Sequence, residues 1–351
     1  MIPDDILSSM DMVRGSARGI ASHGDLTRIR KLRHSSPGFD RAVWREMCAM
    51  GWPALRLPDA KGGVGLGALP YCALAEEMGR GLVPEPLVPA VLAAALLEGE
   101  ALAAHLSGER LVLPAWQDGR NALGPEGPLA IDGDRVTATK HFVPSAGGAD
   151  DFLVVGSDRA VLVAADAPGV RVAAKETQDG GTVASVTFDG VSGTVLAADP
   201  APALAEAALA TSAYLLGLMD AALEMTVAYL KTRVQFGRPI GSFQILQHMA
   251  VDLRLEVELT RASVEEAAFL WDCDGATPAG SAAVSRAKAR ASQAALKITR
   301  DVIQLHGGIG FTDEHDIGLF LRKAMVTAPQ FGGADRHRAN FARLKPLAEE
   351  I

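Results

Sequence analysis

One segment of this 351-residue sequence combines residue types that could hold a phosphate group. It reads Arg233-Val-Gln-Phe-Gly-Arg-Pro-Ile-Gly-Ser-Phe-Gln244 and falls in a break between two long helical patterns. An arginine at a helix end, followed by a glycine turn and then a glutamine, could clasp a pyrophosphate and a neighbouring polar group. A simpler interpretation is that Arg233 complements the helix dipole and Gln244 is solvated. The residue types alone leave both interpretations open.

A second candidate segment, Gln304-Leu-His-Gly-Gly-Ile-Gly-Phe-Thr-Asp-Glu-His315, follows a long helical pattern near the C-terminus. Its glycines allow the backbone to approach a ligand closely, and Gln304 offers both hydrogen-bond donors and an acceptor. The segment has neither the preceding strand nor the GxGxxG spacing of a dinucleotide fingerprint. It could also be a helix stop beside a packed His306, so this pattern too is open to two interpretations.

Other kinds of site find little support in the sequence. His306, His315 and the carboxylates near them include no HExxH pattern or thiol pair, so no metal is expected. The absence of a GxSxG elbow argues against a serine hydrolase. Lys and Arg number 34 against 42 Asp and Glu, which gives a net charge of −8. Because no dense basic block is present either, nucleic acid is not an expected partner.

Two changes in sequence pattern predict the architecture that positions these segments. Apolar residues recur at helical spacing over 6–106, and short β-branched runs separated by Gly and Pro turns fill 111–198. The helical spacing then returns, which predicts helices over 204–232, 247–273, 279–305 and 316–327 and a short one from residue 336. The short strands at this spacing suggest a small antiparallel barrel or sandwich in the middle. The sequence therefore predicts an α+β multidomain fold with an N-terminal helical domain (1–110), a middle antiparallel β-barrel (111–199) and a C-terminal long four-helix bundle (200–351).

The sequence favours a cytoplasmic protein with no membrane partner. Its longest nearly apolar stretch, 86–97, has 12 residues and two prolines, whereas a membrane span needs about 18 residues. The acidic N-terminus differs from the basic start of a signal peptide. Cys48, Cys72 and Cys273 form no CxxC pair, so we expect three buried thiols in a reducing compartment.

Taken together, these segments resemble the acyl-CoA dehydrogenase family over almost the whole chain. Residues 51–66 and Glu76-Glu-Met-Gly-Arg80 are similar to the family's N-terminal domain. Arg233-x-Gln-Phe-Gly-x-Pro-Ile and Gln304-Leu-His-Gly-Gly-x-Gly look like its two flavin motifs. The order of helices, strands and helices also matches the family.

This resemblance implies a flavoprotein oxidoreductase with FAD as cofactor and an acyl-CoA as substrate. Family members form a trans-2-enoyl-CoA: a glutamate takes the α-proton as general base, and the flavin takes the β-hydride. In their tetramers, the ADP half of each FAD is gripped by the C-terminal domain of a neighbouring subunit. The gripping residues correspond here to Arg233, Phe236, Gln244, Gln304, Gly307 and Gly308.

The resemblance fails where a family member holds its own flavin ring and substrate. The family's T-E-P-x-x-G-S-D segment is replaced by 113–119, Leu-Pro-Ala-Trp-Gln-Asp-Gly, and its W-x-T by Phe142-Val-Pro144. The glutamate that acts as base in many members corresponds to Gly332. In members that carry it on the first bundle helix it corresponds to Ala207, and Glu206 lies about 100° away around that helix. We therefore assign no catalytic residue.

These differences imply the short, partner-type subunit of a heteromeric acyl-CoA dehydrogenase, which supplies ADP-side contacts to FAD in a catalytic partner chain. The family includes such α2β2 complexes in bacterial steroid side-chain breakdown, so steroid degradation or other lipid metabolism, such as fatty acid β-oxidation, is expected. An electron-transferring flavoprotein is the expected electron acceptor. One alternative is a self-sufficient homotetramer whose unusual base is Glu206, Asp335 or Asp313. Another is a non-enzymatic structural chain with the same fold.

Overall fold

The N-terminal part of the molecule is helical, as the apolar spacing predicts. The structure is a computed structural model that describes residues 3–345. Asp40 caps the third helix, because its carboxylate accepts a hydrogen bond from the Ala42 amide (2.8 Å). Six helices occur here: α1 (Asp4–Ala17), α2 (Thr27–Leu32), α3 (Arg41–Ala49), α4 (Ala68–Arg80), α5 (Leu87–Leu96) and α6 (Gly99–Leu106).

The middle part forms two open sheets, so the predicted antiparallel β-barrel is wrong. Its strands are β1 (Val112–Ala115), β2 (Ala130–Asp132), β3 (Arg135–Pro144), β4 (Asp151–Val155), β5 (Arg159–Ala164), β6 (Val170–Glu176), β7 (Thr182–Ser192) and β8 (Thr194–Ala197). The strand orders are β1-β4-β5-β8 and β2-β3-β7-β6, and β1 pairs with β4 in parallel. Phe152 of β4 and Phe188 of β7 meet edge to face, with ring centroids 5.9 Å apart. The two sheets therefore share a buried apolar layer without closing on each other.

The C-terminal part contains three long helices and two short ones, close to the five helices predicted for the bundle. The long helices are α7 (Ala201–Thr232), α8 (Gln244–Asp274) and α9 (Pro278–His306). The short helices, α10 (Ile317–Thr327) and α11 (Ala334–Leu344), pack against α9. A hairpin of β9 (Val234–Gln235) and β10 (Arg238–Pro239) joins α7 to α8. The changes from helix to strand and from strand to helix thus occur close to residues 110 and 199, while the domain boundaries at these two positions stay a prediction.

Helices α4 and α7 approach each other unusually closely and join the N-terminal helices to the bundle. A Cβ on Gly79 of α4 would overlap the carbonyl oxygen of Tyr214, and a Cβ on Gly217 of α7 would overlap that of Glu76. Glycine at both positions therefore lets the two backbones touch.

Helix α7 is also long and apolar enough to cross a membrane by length and composition alone, which sequence inspection missed. In the structure, 61% of its most apolar window is buried inside the protein, against α4, α5, α8 and α9. Cys48 and Cys72 are buried as expected. Cys273 is exposed near the end of α8, so the prediction that it is buried is wrong.

Candidate cofactor-binding surface

The two candidate motifs meet at one end of the helical bundle. Tyr229, in the last turn of α7, stacks on His306 at the end of α9 with ring centroids 4.4 Å apart. The Tyr229 hydroxyl donates to the His306 carbonyl oxygen (3.3 Å), and the Tyr229 carbonyl accepts from the Arg233 amide (2.9 Å). Arg233 and Gly307, which are far apart in the sequence, therefore lie on neighbouring helix ends.

A two-residue turn, Phe236-Gly237, joins β9 to β10 just after Arg233. Both residues have positive φ, 55° and 75°, as two-residue hairpin turns commonly require. A left-handed backbone costs a residue other than glycine about 1–2 kcal/mol. Phe236 is also 90% exposed, and an edge-to-face contact with Phe243, with ring centroids 6.1 Å apart, leaves most of its ring uncovered. The turn holds an aromatic ring outward, where a molecule outside this chain can reach it.

The polar groups beside this turn differ in how far they are already engaged. The Arg238 guanidinium lies over the ring of Phe243, 4.0 Å from its centroid, so its charge is used within the hairpin. Arg233 is exposed and makes no ion pair with the residues that the structure describes. Gln244, the first residue of α8, is exposed as well. Arg233 and Gln244 are therefore the groups here that remain available to a ligand.

The second motif forms a short 3-10 turn over Gly307–Phe311. Gly307 ends α9 with a φ of 64°, a conformation that favours glycine. A Cβ added at Gly307 or Gly308 would meet no atom within 4 Å. Gln304, one turn earlier, is exposed. The open space over both glycines leaves this backbone accessible from outside the chain.

His306 is packed beneath the glycine turn. Burial lowers the pKa of its imidazole, and Nδ1–H donates to the Val302 carbonyl oxygen (2.8 Å). The ring of His315 lies 4.7 Å away, and burial lowers its pKa as well. Both imidazoles are therefore neutral near pH 7. The structure therefore combines both interpretations of this segment: a helix stop beside a packed His306, and a glycine turn that is accessible from outside the chain.

Arginines in α2, just after it and in α10 hold the loop that follows the glycine turn. Arg30 Nε lies 2.5 Å from Asp316 Oδ1, and Arg30 Nη1 donates to the Asp313 carbonyl oxygen (2.8 Å). Arg33 and Arg322 each reach Asp313 Oδ1 at 3.0 Å. The hydrogen bond from Arg33, together with these positive charges, holds the pKa of Asp313 below its usual range. The N-terminal helices therefore help to position the second motif.

The segments that would face this chain's own flavin ring are engaged in internal contacts. Trp116 is 6% exposed, and its ring stacks on that of Phe331, with centroids 6.1 Å apart and planes 10° from parallel. Asp118 forms an ion pair with the buried Lys140 (2.5 Å). Pro144, at the end of β3, has neither a hydroxyl nor an amide hydrogen to offer a flavin edge. These residues do not fit a flavin ring.

Gly332, which corresponds to the catalytic glutamate of many family members, has a left-handed backbone and is enclosed by side chains. Its φ is 97°, and a Cβ there would overlap Leu123 Cδ2 and lie 2.9 Å from His337 Nε2. Its carbonyl oxygen accepts a hydrogen bond from Lys288 Nζ (2.8 Å). Ala207, the other corresponding position, is buried. Neither position can present a carboxylate without rearrangement of its surroundings.

The alternative bases are already engaged in ion pairs. Glu206 accepts two hydrogen bonds from Arg56, at 3.0 and 2.7 Å, and a third from Trp271 Nε1 at 2.9 Å. Asp313 is held by the arginines described above. Asp335 forms an exposed pair, 3.0 Å long, with an arginine one turn away on α11. None of these carboxylates is a free base in a closed site.

Comparison with known proteins identifies the family. The model of the acyl-CoA dehydrogenase N-terminal domain matches residues 8–103, and that of the C-terminal domain matches residues 201–344. Over 325 residues the chain is 31% identical to acyl-CoA dehydrogenase IpdE2 of Mycobacterium tuberculosis, covering 88% of each protein. The chain belongs to the acyl-CoA dehydrogenase family. The predicted enzyme class, an oxidoreductase acting on CH–CH bonds, is thereby confirmed.

Solved acyl-CoA dehydrogenase structures match over nearly the full length. A variant of the Tcur3481-Tcur3483 steroid ACAD matches with a TM-score of 0.86 and 32% identity, covering 97% of this chain and 98% of that one. The ChsE4-ChsE5 complex from Mycobacterium tuberculosis matches with a TM-score of 0.84 and 27% identity, covering 98% and 97%. The fold is therefore shared from the N-terminal helices to the bundle.

Among the buried charged residues that motif inspection missed in this acyl-CoA dehydrogenase chain is Lys288 of α9. Its Nζ donates to Ser292 Oγ (2.9 Å) and to the carbonyl oxygens of Ala328 and Gly332 (2.8 Å each). Burial lowers the pKa of its ammonium group to about 7. Lys288 follows Val284 by four residues on the apolar stripe of α9, and a lysine on such a stripe was the signal that could have revealed it.

Proposed function

We propose that this chain is the short, partner-type subunit of a heteromeric FAD-dependent acyl-CoA dehydrogenase. The complex removes two hydrogens from the α,β bond of an acyl-CoA thioester. A second, glutamate-bearing chain of the same family holds most of the FAD and supplies the base. This chain contributes contacts to the ADP half from Arg233, Phe236, Gln244, Gln304, Gly307 and Gly308.

One observation carries the proposal: the residues assigned to a neighbour's FAD are exposed in this chain, whereas the position of its own catalytic base is enclosed. Phe236 is held outward on a strained turn with 90% of its surface exposed. Gly332 is enclosed so tightly that a Cβ would overlap Leu123. A chain with its own complete site needs a base near the flavin, whereas a chain that serves a neighbour needs only the exposed half.

The exposed residues suit the chemistry of a dinucleotide. The Arg233 guanidinium can form paired, charge-assisted hydrogen bonds to pyrophosphate oxygens. Gly307 and Gly308 let the backbone approach those oxygens, because no side chain stands between. Gln304 and Gln244 can donate to or accept from the nucleotide's polar groups. When FAD is bound, its flavin ring accepts the hydride, and this chain's residues orient the other end of the molecule.

The names of the related structures support a second chain and a bulky substrate. ChsE4-ChsE5 is described as a complex, and the Tcur3481-Tcur3483 protein as a steroid ACAD. The proposal therefore extends to a steroid-derived or other lipid acyl-CoA as substrate. It also includes an electron-transferring flavoprotein as acceptor and a cytoplasmic location.

The proposal is tested by the flavin content and solution mass of the chain, purified alone and after co-expression with a glutamate-bearing family member from the same genome. We expect a colourless chain alone and one flavin per pair of chains in a heteromeric complex. A yellow homotetramer with one flavin per chain, bleached by an acyl-CoA, would overturn the proposal.

Arg233→Ala tests the role of the exposed surface in that complex. A charge-assisted hydrogen bond is worth about 1.5–3 kcal/mol, so the dissociation constant of FAD should rise by about 10- to 150-fold. Arg18→Ala removes an exposed arginine from the end of α1 and is the matched control, with unchanged affinity expected. Wild-type FAD affinity in the Arg233→Ala complex would contradict the assigned role.

A further inference from the structure

Helix α8 carries apolar side chains on two opposite faces. One face, which includes Leu253, Val257 and Val264, is buried against α4, α7 and α9. A helix that packs on one side only usually has a polar outer face. The outer face of α8 instead carries five large apolar side chains that are each 42–68% exposed: Ile245, Val251, Leu255, Leu259 and Phe269. A row of exposed apolar side chains, unlike scattered single ones, marks an interaction surface.

The exposed positions of α8 have the spacing of a helix that packs along a second helix. They follow one another in alternating steps of four and three residues, as His248, Asp252, Leu255, Leu259, Ala262, Glu266 and Phe269. This repeat brings side chains of one helix into the spaces between side chains of another. We call this row, together with Ile245 three residues before it, the α8 seam. It is about 36 Å long, since a helix rises about 1.5 Å per residue.

The α8 seam is complementary to itself when two copies run antiparallel. With a twofold axis midway between Leu255 and Leu259, Leu255 of one copy lies opposite Leu259 of the other. The same register places Ile245 opposite Phe269, so the two ends of the seam are apolar on both sides. It also places His248 opposite Glu266, a possible donor opposite a carboxylate. Self-complementarity about a twofold axis is the property that a symmetric dimer interface requires.

A parallel arrangement of two copies lacks this complementarity. It would place Asp252 against Asp252 and Glu266 against Glu266, and like charges in direct opposition are unfavourable. The alternating apolar and polar positions of the α8 seam therefore favour the antiparallel pairing.

The surface beside the α8 seam leaves room for a second helix. A groove of about 740 Å³ lies between α8, α9 and α11, and Leu259 and Ala262 of the seam form part of its wall. The charged residues of the groove are paired within the chain. Glu266 contacts Arg286 (2.8 Å), and Glu256 accepts a hydrogen bond from Arg290 (2.9 Å). An apolar helix face can therefore enter the groove without leaving these charges unpaired.

We propose that two copies of this chain pair through the α8 seam, with their α8 helices antiparallel about a twofold axis. Arg233 and Gln244 lie where α8 begins, so the pair holds its two candidate cofactor surfaces at opposite ends of the seam, about 36 Å apart. Both surfaces then stay open to other chains. The pairing concerns contacts between copies of this chain and does not depend on a role in binding FAD.

The first test is the solution mass of the purified full-length chain, measured by sedimentation velocity over a range of concentrations. We expect the wild type to have twice the mass of one chain. Leu255→Glu should raise the dissociation constant of the dimer by about 100-fold or more, because the twofold axis places two carboxylates in the apolar part of the seam. Leu259→Glu tests the same contact if circular dichroism shows that Leu255→Glu does not fold.

Met12→Glu is the matched control. Met12 is 71% exposed on α1, outside the seam, so this substitution also places a carboxylate at an exposed apolar position. It should leave the dissociation constant of the dimer at the wild-type value. An equal loss of dimer in Met12→Glu and Leu255→Glu would overturn the location of the interface.

A double variant tests the register. Leu255→Glu combined with Leu259→Lys places a glutamate opposite a lysine twice in the antiparallel pair, so it should bind at least about tenfold more tightly than Leu255→Glu alone. In a parallel pair the same variant places like charges in opposition and stays weak. A double variant as weak as Leu255→Glu would therefore overturn the antiparallel register.

The failure of this inference can be distinguished from failure of the proposed function. A colourless wild-type chain that stays monomeric would overturn the pairing alone. In the complex with the glutamate-bearing chain, Leu255→Glu should halve the mass and leave the FAD in place. If it instead releases that chain together with the FAD, the α8 seam is the binding surface for the catalytic chain, which overturns the pairing and leaves the subunit role intact.

Discussion

Phe236 in the hairpin after α7 and Phe331 in the loop after α10 adopt the same left-handed backbone, with φ of 55° in each. Their rings lie in opposite environments. Phe236 is 90% exposed, whereas Phe331 is 8% exposed and stacks on Trp116. In the second case the packing energy of the ring offsets the backbone strain inside the chain. In the first case the ring meets Phe243 edge to face but stays mostly uncovered, so packing among the described residues offsets the strain far less.

The same contrast separates the glycines of the two regions. Gly332 is enclosed by Leu123 and His337, while Gly307 and Gly308 have open space where a side chain would project. The enclosed glycine is required by packing, and the open pair is available for binding. Substitutions should therefore separate stability from cofactor affinity.

The largest effect is expected for Gly332→Glu. Its φ of 97° and the overlap of a Cβ with Leu123 should lower the free energy of unfolding by about 4 kcal/mol or more, measured by urea denaturation. Gly308→Glu is the matched control: it should leave stability within about 0.5 kcal/mol and instead weaken FAD retention by the complex, because it adds a negative charge beside a pyrophosphate. A stable Gly332→Glu chain with gained dehydrogenase activity would reverse the contrast.

Lys288 should give the chain a pH-dependent stability. Burial lowers its pKa to about 7 in the folded state, against about 10.4 in the unfolded chain. Between these values the unfolded chain binds more protons, so this group makes stability rise by about 1.4 kcal/mol per pH unit. Below pH 7 both states are protonated, and the contribution is constant.

Lys288→Met removes this titration. The unfolding free energy of the wild type minus that of the variant should rise by about 2–3 kcal/mol between about pH 7 and pH 9, and should stay constant below pH 7. Urea denaturation across that range measures it. Lys297→Met, on the exposed face of α9, should give a curve parallel to that of the wild type. A parallel curve for Lys288→Met would show that Lys288 is charged throughout in the folded chain.

The smallest effect is expected for Phe236→Asn. Asparagine tolerates positive φ, so the isolated chain should gain about 0.5–1 kcal/mol of stability in thermal or urea denaturation. FAD retention by the complex should fall at the same time. Phe331→Asn is the matched comparison, with the same φ but a buried ring, and should lose about 3 kcal/mol. Equal stability changes in the two variants would remove the distinction between the regions.

Local patterns predicted most of the helical framework. The spacing of apolar residues and the residues that start or stop a helix predicted α7 from residue 204 and α9 from 279. In the structure these helices begin at Ala201 and Pro278. The middle part was harder, because strand spacing indicates β structure but does not say which distant strands pair. The parallel pairing of β1 with β4 and the open sheet edges depend on tertiary contacts.

The candidate site was predictable where it depends on motif residues and unpredictable where it depends on packing. Arg233 and Gly307 were selected from their sequence context, and the structure brings their helix ends together through Tyr229. Their role in binding FAD stays a prediction. Sequence comparison showed that Gly332 lacks a carboxylate, but only the structure shows that its left-handed backbone and its neighbours Leu123 and His337 disfavour a side chain there.

Gly79 and Gly217, where α4 and α7 touch, bear on how sequence variation among relatives should be interpreted. Neither belongs to a candidate site, yet a methyl group at either position would overlap a backbone carbonyl of the opposite helix. If both positions are always glycine in an alignment of relatives, that invariance would therefore reflect the close spacing of the two helices. A relative that carries alanine at one of them should have shifted the whole N-terminal layer away from its bundle.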